Sequence, residues 1–234
     1  MYFYHSDEVW DRFPKLVALV LVVHQVRAAV LKAGALEETL ARVGARLETT
    51  LESDIPAIQA WRQAYADMGL KPTQYRCAAE ALLRRFRKAK HQQDFHPLVD
   101  TLNAESMHAA LPIAAFDCAC ITGGVVVRHA NGLETHRTFQ GETEQPTTGE
   151  IIFADEANQA HSRRWVFRQG AESAVSSTSN TVLIVAEALH GQAREDLHTL
   201  HERIAYRASE LGVLIAEADV LTNSNRRFEF IFGL

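Results

Sequence analysis

Cysteine is scarce: the 234 residues hold three, Cys77, Cys118 and Cys120, odd in number and without zinc-type spacing. A disulfide framework is thereby excluded, and a reducing cytoplasm is the expected location. Cys118 and Cys120 stand beside an apolar stretch and read as small buried side chains. Long hydrophobic runs are missing as well. The longest covers residues 16–23, whereas a bilayer needs about 20 apolar residues, so no membrane partner is expected. The opening MYFYHSDEVW lacks the basic-then-apolar order of a secretory signal. The chain has no G-x-S-x-G elbow, no H-E-x-x-H pair, no phosphate-binding Walker loop and no G-x-G-x-x-G turn, and no cofactor is expected. Its eleven histidines follow no ligand spacing. His198 and His201, three apart on a late helix, read as surface residues, and no metal site is expected.

What is present is an ordinary globular composition, long enough to bury a full core without staples. The net charge of −5 argues against a general nucleic-acid binder and against DNA, while leaving room for a local basic patch. Ser6, followed by acidic residues, caps a short helix that ends near Pro14. Residues 16–24 read as a buried strand. Leu36, Leu40, Val43, Leu47 and Leu51 recur at helical spacing. Ser53 and Asp54 offer a cap for a second helix, with Pro56 in its first turn and Gly69 as its stop. Further helices are expected over residues 76–88 and from Pro97 to about residue 108. Beyond them the texture turns to strands: 125–129, 151–154, 165–168 and 181–189, with a hairpin turn at Asn131-Gly132. An amphipathic helix over 193–211 and strands at 213–216 and 228–232 close the chain. This order predicts an α+β fold, a mixed β-sheet core with flanking helices, in one domain over residues 1–234.

Few groups invite chemistry. Asn103, Asp117, Arg168, Gln169, Ser173, Thr178 and Asn180 are polar residues at the ends of apolar segments, where a buried polar group needs a partner or a ligand. Asp117 and Asp155 read as turn caps that cross-brace strands. The helix over 76–88 turns Leu82, Leu83 and Phe86 inward and crowds Arg84, Arg85, Arg87 and Lys88 outward, with Lys90 just beyond. That face is either a solvated surface, supported by Glu80 four residues before Arg84, or a phosphate track for an RNA end. No ladder of tyrosines or phenylalanines accompanies it, so a stacking platform is not expected.

An ordered motif set joins these residues. It reads WRQAY (61–65), YRCAAEALLRR (75–85), PLVDTLN (97–103), LPIAAFD (111–117), VVVRHANGLE (125–134), GEIIFAD (149–155) and RRWVFRQGAESAVSSTSN (163–180). Order and spacing together resemble the B3/B4 editing domain of the phenylalanyl-tRNA synthetase beta subunit, and more closely its free-standing relatives. The resemblance implies a motif-bearing core over residues 61–190, with residues 1–60 and 191–234 packed onto it. It implies hydrolysis in trans of the ester of a mischarged aminoacyl-tRNA, with the acylated 3′ end as partner. A second pocket of this kind exists because binding alone discriminates poorly between near-isosteric side chains.

The same resemblance implies Asn103 and Glu172 as candidate catalytic residues. Leu102, Ala114, Arg168, Gln169, Ala171 and Ser173 become candidate substrate contacts, while the basic face of the helix over 76–88 makes Arg76, Arg84, Arg85, Arg87 and Lys88 candidate tRNA contacts. Three positions depart from the family. Leu102 stands where the synthetase has threonine, Ala114 where it has histidine, and Ala171 where it has the glutamate that recognises the tyrosine hydroxyl, with Glu172 one step along. A pocket without that carboxylate has no basis for preferring tyrosine, so a less polar amino acid is expected. A binding module for tRNA or an amino acid, with the fold kept and hydrolysis lost, is the competing reading.

Overall fold

The computed structural model describes residues 1–92 and 94–232. Its elements in chain order are β1 (Tyr2–His5), α1 (Asp7–Arg12), β2 (Val17–His24), α2 (Glu37–Thr49), α3 (Pro56–Asp67), α4 (Ala78–Ala89) and α5 (Pro97–Ala109). Then come β3 (Ile113–Asp117), β4 (Val125–His129), β5 (His136–Arg137), β6 (Thr143–Glu144), β7 (Ile151–Ala154), β8 (Ala160–Arg163), β9 (Arg168–Gln169) and β10 (Val182–Ala188). The chain closes with α6 (Ala193–Leu211), β11 (Leu214–Leu221) and β12 (Arg227–Glu229).

The expected sheet core is two sheets. One has the order β12-β1-β4-β7-β8-β9, the other β11-β2-β10-β3, and β5 and β6 form a separate hairpin. β1 and β4 pair in parallel and the other pairs of that sheet antiparallel, so the larger sheet is mixed. Phe3, Val127 and Phe153 of the larger sheet meet Val20, Leu183 and Val185 of the smaller one, together with Trp10 and Trp61 of α1 and α3. The opposite face of the smaller sheet, with Leu21 and Ile184, packs against Leu102 of α5 and Leu197, Leu200 and Ile204 of α6. Both faces of β2 and β10 are thus covered, which is why each is an unbroken apolar run and not an alternating one. β2 lies between β11 and β10, so the first sixty residues supply a central strand instead of an outer layer. Among the described residues no helix is long and apolar enough to cross a membrane.

The helices predicted from spacing are found to within a few residues, and β4, β7 and α6 coincide with their predicted bounds. One strand stands where none was read, and two readings change. Tyr2–His5 is a strand, pairing with both β4 and β12. Residues 165–167 are not a strand, which begins only at Arg168: Arg164 and Trp165 sit at φ 46° and 61°, forming the turn between β8 and β9. Left-handed backbone costs a bulky residue roughly 1–2 kcal/mol. Packing offsets it, since the Trp165 ring lies edge-on to Trp61 (4.9 Å) and Phe13 (4.8 Å). Asn131-Gly132 does turn, but no hairpin follows. The Glu134 carboxylate accepts from both turn amides, and β4 pairs onward with β7. Cys77 and Cys118 are buried, whereas Cys120 is exposed.

Candidate functional site

Helix α5 begins at Pro97, where a missing N–H costs little, and the His96 ring accepts from Leu98 N (3.2 Å) as its cap. Val99, Leu102 and Asn103 then fall on one face, at helical spacing. They face the strand β3, an edge of the smaller sheet, and β9, an edge of the larger. Between α5 and these two edges lies a cavity of about 530 Å³, within the range of roughly 300–1,000 Å³ usual for small-molecule sites. Ile113 and Ala115 line it from β3, Gln169 from β9, Ala174 and Val175 from the following loop, and Phe95, Phe139, Gln140 and Arg85 from its rim.

Gln169 ties the two sheet edges together, its amide donating to Ala115 O (2.7 Å). Its carbonyl oxygen remains an acceptor. Asn103 lines the cavity from the helix. Among the described residues no lining side chain is a carboxylate, histidine, lysine, serine, threonine or cysteine. The chemistry on offer is therefore apolar surface, the amides of Asn103 and Gln169 on facing walls, a third amide at the rim from Gln140 and one guanidinium. A larger hollow of about 890 Å³ runs beside α2; small or aliphatic residues such as Ala41, Gly44 and Ala45 share its walls with charged ones, Glu37, Glu48, Lys90 and Asp100 among them, and Asn103 and Gln169 are not part of it.

Of the expected substrate contacts, Leu102 and Gln169 line the cavity and the others do not. Ala114 alternates with Ile113 and Ala115 along β3 and packs against the aromatic core on the other face. Arg168 reaches Glu144 Oε1 (3.2 Å) and Gln140 Oε1 (3.4 Å), so it steadies the β5–β6 hairpin. Ala171 N donates to Arg137 O (2.8 Å), and Glu172 is on the surface, 3.5 Å from the Arg137 guanidinium. Ser173 is fully buried and bonds the His161 ring (2.9 Å), whose other nitrogen lies 3.4 Å from Asp155. The loop therefore reaches the cavity through Ala174 and Val175, just past the expected contacts Ala171 and Ser173.

Asp117 and Asp155 behave as turn caps. Asp117 accepts from Ala119 N (3.0 Å) and Ser179 Oγ (2.6 Å). Asp155 accepts from the amides of Thr122, Ala157 and Gln159 at 2.9–3.0 Å. Burial pushes the Asp155 carboxyl up, but His161 and these amides outweigh it and hold it below its ordinary 3.8. A depressed folded-state value stabilises the fold above the unfolded value and is lost as pH falls through the folded one. Asp155→Asn is accordingly expected to flatten the acid limb below about pH 4 in urea melts taken across pH. An acid limb identical to the unsubstituted protein would refute the assignment.

The basic helix divides in two. Arg84, Arg85 and Lys88 are exposed, and Arg85 reaches the cavity rim. Arg87, one position on, turns inward and donates to Glu52 Oε1 (2.8 Å) and Thr50 O (2.7 Å). Arg76 lies 3.3 Å from Glu80, which Arg62 also holds at 2.8 Å. Glu80 is thus a buried anchor and not a surface partner of Arg84. Burial raises its carboxyl above the usual range despite both arginines. Burial also pushes the Cys77 and Cys118 thiols up to about 12, which leaves both as inert packing. Among the described residues no group of three or more His, Cys, Asp or Glu side chains could hold a metal ion.

No curated protein matches the chain. Among solved structures it is similar to an N-terminal fragment of the phenylalanyl-tRNA synthetase beta-subunit from Pyrococcus horikoshii, with 11% identity and a TM-score of 0.46. That alignment covers 91% of this chain and 49% of the other, so the chain spans about half the length of that fragment. The B3/4 domain family matches residues 60–213, which takes in most of α3, all of α4 to α6 and every wall of the cavity. The chain belongs to the B3/4 domain family.

Proposed function

We propose that the protein hydrolyses, in trans, the ester between an amino acid and the terminal ribose of a mischarged tRNA. The observation that supports this most is the cavity itself, where Asn103 and Gln169 face each other's walls above a floor of Val99, Leu102, Ile113 and Ala115. The apolar floor takes the amino-acid side chain. The floor carries no carboxylate or hydroxyl to bond a phenol, so the favoured amino acid is less polar than tyrosine.

In this mechanism a water attacks the ester carbonyl carbon, and the carbonyl oxygen becomes the oxyanion. The Asn103 amide donates to that oxyanion. The C–O bond to the ribose then breaks. The departing ribose oxygen takes up the proton that the attacking water releases, relayed through the neighbouring ribose hydroxyl. No side chain lining the cavity is a nucleophile or titrates near neutrality, so positioning and electrostatics carry the step.

The test is a panel of aminoacyl-tRNAs with matched and mismatched amino acids, scored for ester loss above the buffer rate. Hydrolysis of at least one mismatched tRNA supports the proposal. Binding with a flat panel favours the non-catalytic module, a reading supported by the absence of any acid or base in the cavity. Equal turnover of a minimal amino-acid ester and of the full tRNA would point to an esterase that ignores RNA.

Arg84, Arg85 and Lys88 form the exposed phosphate track of this reading. Replacing all three by alanine is expected to weaken tRNA binding and to lower its salt slope by about 0.7 per lost contact. Arg87→Ala is instead expected to cost stability, because it leaves Glu52 buried without its cation. Filter binding at several salt concentrations, with a thermal melt beside it, separates the two. An unchanged slope in the triple variant would make that face a solvated surface only.

A further inference from the structure

We infer that Phe95 and Phe139 form a clamp that stacks on the terminal nucleobase of a single-stranded RNA end. This rests on the reading that an acylated RNA end enters the cavity. Of the large apolar side chains exposed on this protein, these two are the ones that line the cavity, at 58% and 66% exposure. Leu133, Tyr206 and Ile231, also exposed, lie elsewhere. Among the described residues neither ring is packed on another aromatic ring, and no guanidinium covers either.

The rings come from unrelated segments, and each is held out by its own backbone. Phe95 N donates to the buried Asp100 carboxylate (2.9 Å), fixing the residue just ahead of α5. Phe139 sits at the tip of the β5–β6 hairpin. Thr138 N donates to Glu142 O (2.8 Å) and Gly141 N to Thr138 O (2.9 Å), with Gly141 at φ 87° where a side chain would be strained. A tight turn thus aims an aromatic ring at solvent, over an aliphatic floor in which Leu102 is 4% and Ala115 9% exposed.

The order of surfaces matches the order of groups on an aminoacylated nucleotide. The buried aliphatic floor suits the acyl side chain, and the Asn103 and Gln169 amides suit the ester and ribose. The aromatic rim suits the flat base, and Arg85 at the same rim suits the adjoining phosphate. An amino acid alone leaves the rim uncovered. Stacking on a base is tolerant of sequence, because every base has a π-face.

The probe is an uncharged RNA pentanucleotide with 2-aminopurine as its 3′-terminal base, titrated while its fluorescence is followed. Stacking quenches that base, so the unsubstituted protein is expected to quench it on binding. Phe95→Leu and Phe139→Leu are each expected to weaken binding about ten- to hundred-fold and to abolish the quenching. Phe139→Tyr restores both, and thermal midpoints stay unchanged because both rings are exposed. Unquenched binding, equal affinity in the leucine variants, or no binding of the probe overturns the clamp. The probe carries no ester, so quenching without turnover of any charged tRNA sinks the deacylase reading alone. Turnover without quenching sinks the clamp alone.

Discussion

Asn103→Ala is expected to lower ester hydrolysis by about 10²–10³-fold, the usual cost of removing one donor from an oxyanion site. The loss should fall on kcat more than on KM. The amide bonds charge that develops in the transition state, and the amino-acid side chain contacts the apolar floor instead. The fold should be untouched, since alanine is the better helix former at this position of α5. Asn103→Asp keeps the shape but aims a negative charge at the oxyanion, so it should be at least as slow as alanine. Because no lining group titrates near neutrality, the rate in the unsubstituted protein should rise steadily with pH and show no bell between about pH 5 and 8. Stopped time courses on the best substrate of the panel, across pH, test both points. Full turnover by Asn103→Ala would remove this residue from the chemistry and the proposed mechanism with it.

How much of this was legible in the sequence depends on where each contact comes from. Asn103 and Gln169 were legible through the motif set, because each lies inside a segment whose spacing the family shares. Leu102 was legible too, and it joins the apolar floor. Ala114 was misplaced by one position: strand alternation sends Ala115 to the cavity and Ala114 to the core, and only the register of β3 against β10 decides which. Glu172 and Ser173 were misplaced because the loop after β9 turns over residues 171–174, where Ala174 N donates to Ala171 O, sending one outward to Arg137 and the other inward to His161. Arg87 read as part of a basic face, yet Glu52, which holds it, belongs to a distant segment with no periodicity of its own. Phe95 and Phe139 were invisible as a pair. A search for stacking platforms looks for neighbouring aromatics, and the fold brings these two together from separate loops.

The largest effect on stability is expected from Glu187→Ala, about 3–5 kcal/mol. Glu187 is 1% exposed on β10, a strand whose every residue is buried. It shares a face with Leu183 and Val185, four and two residues back, and so points between the two sheets. There its Oε1 meets His5 Nε2 at 2.6 Å and Trp165 Nε1 at 2.9 Å, while the His5 ring lies against Phe3 and Trp10. Removing the carboxylate strips both ring nitrogens of their partner in a place water does not reach, and a domain has only about 5–15 kcal/mol to lose. For a chain of this size that corresponds to roughly 2–4 °C in Tm per kcal/mol. Glu187→Gln separates two contributions. Both partners converge on one oxygen, which the amide retains, so the hydrogen bonds can survive while the charge is lost. A glutamine variant close to the parent in urea melts shows that the shared acceptor matters, and one as unstable as alanine shows that the charge does. Alanine within 1 kcal/mol of the parent would mean that the contact is idle. The consequence reaches the cavity, because β10 carries β3 through the Ile184–Ala115 pairing, and Ala115 is both its wall and the anchor of Gln169. A loosened Glu187 should therefore weaken RNA-end binding as well as stability, whereas Asn103→Ala should leave stability alone. That contrast distinguishes a residue that shapes the site from one that acts in it.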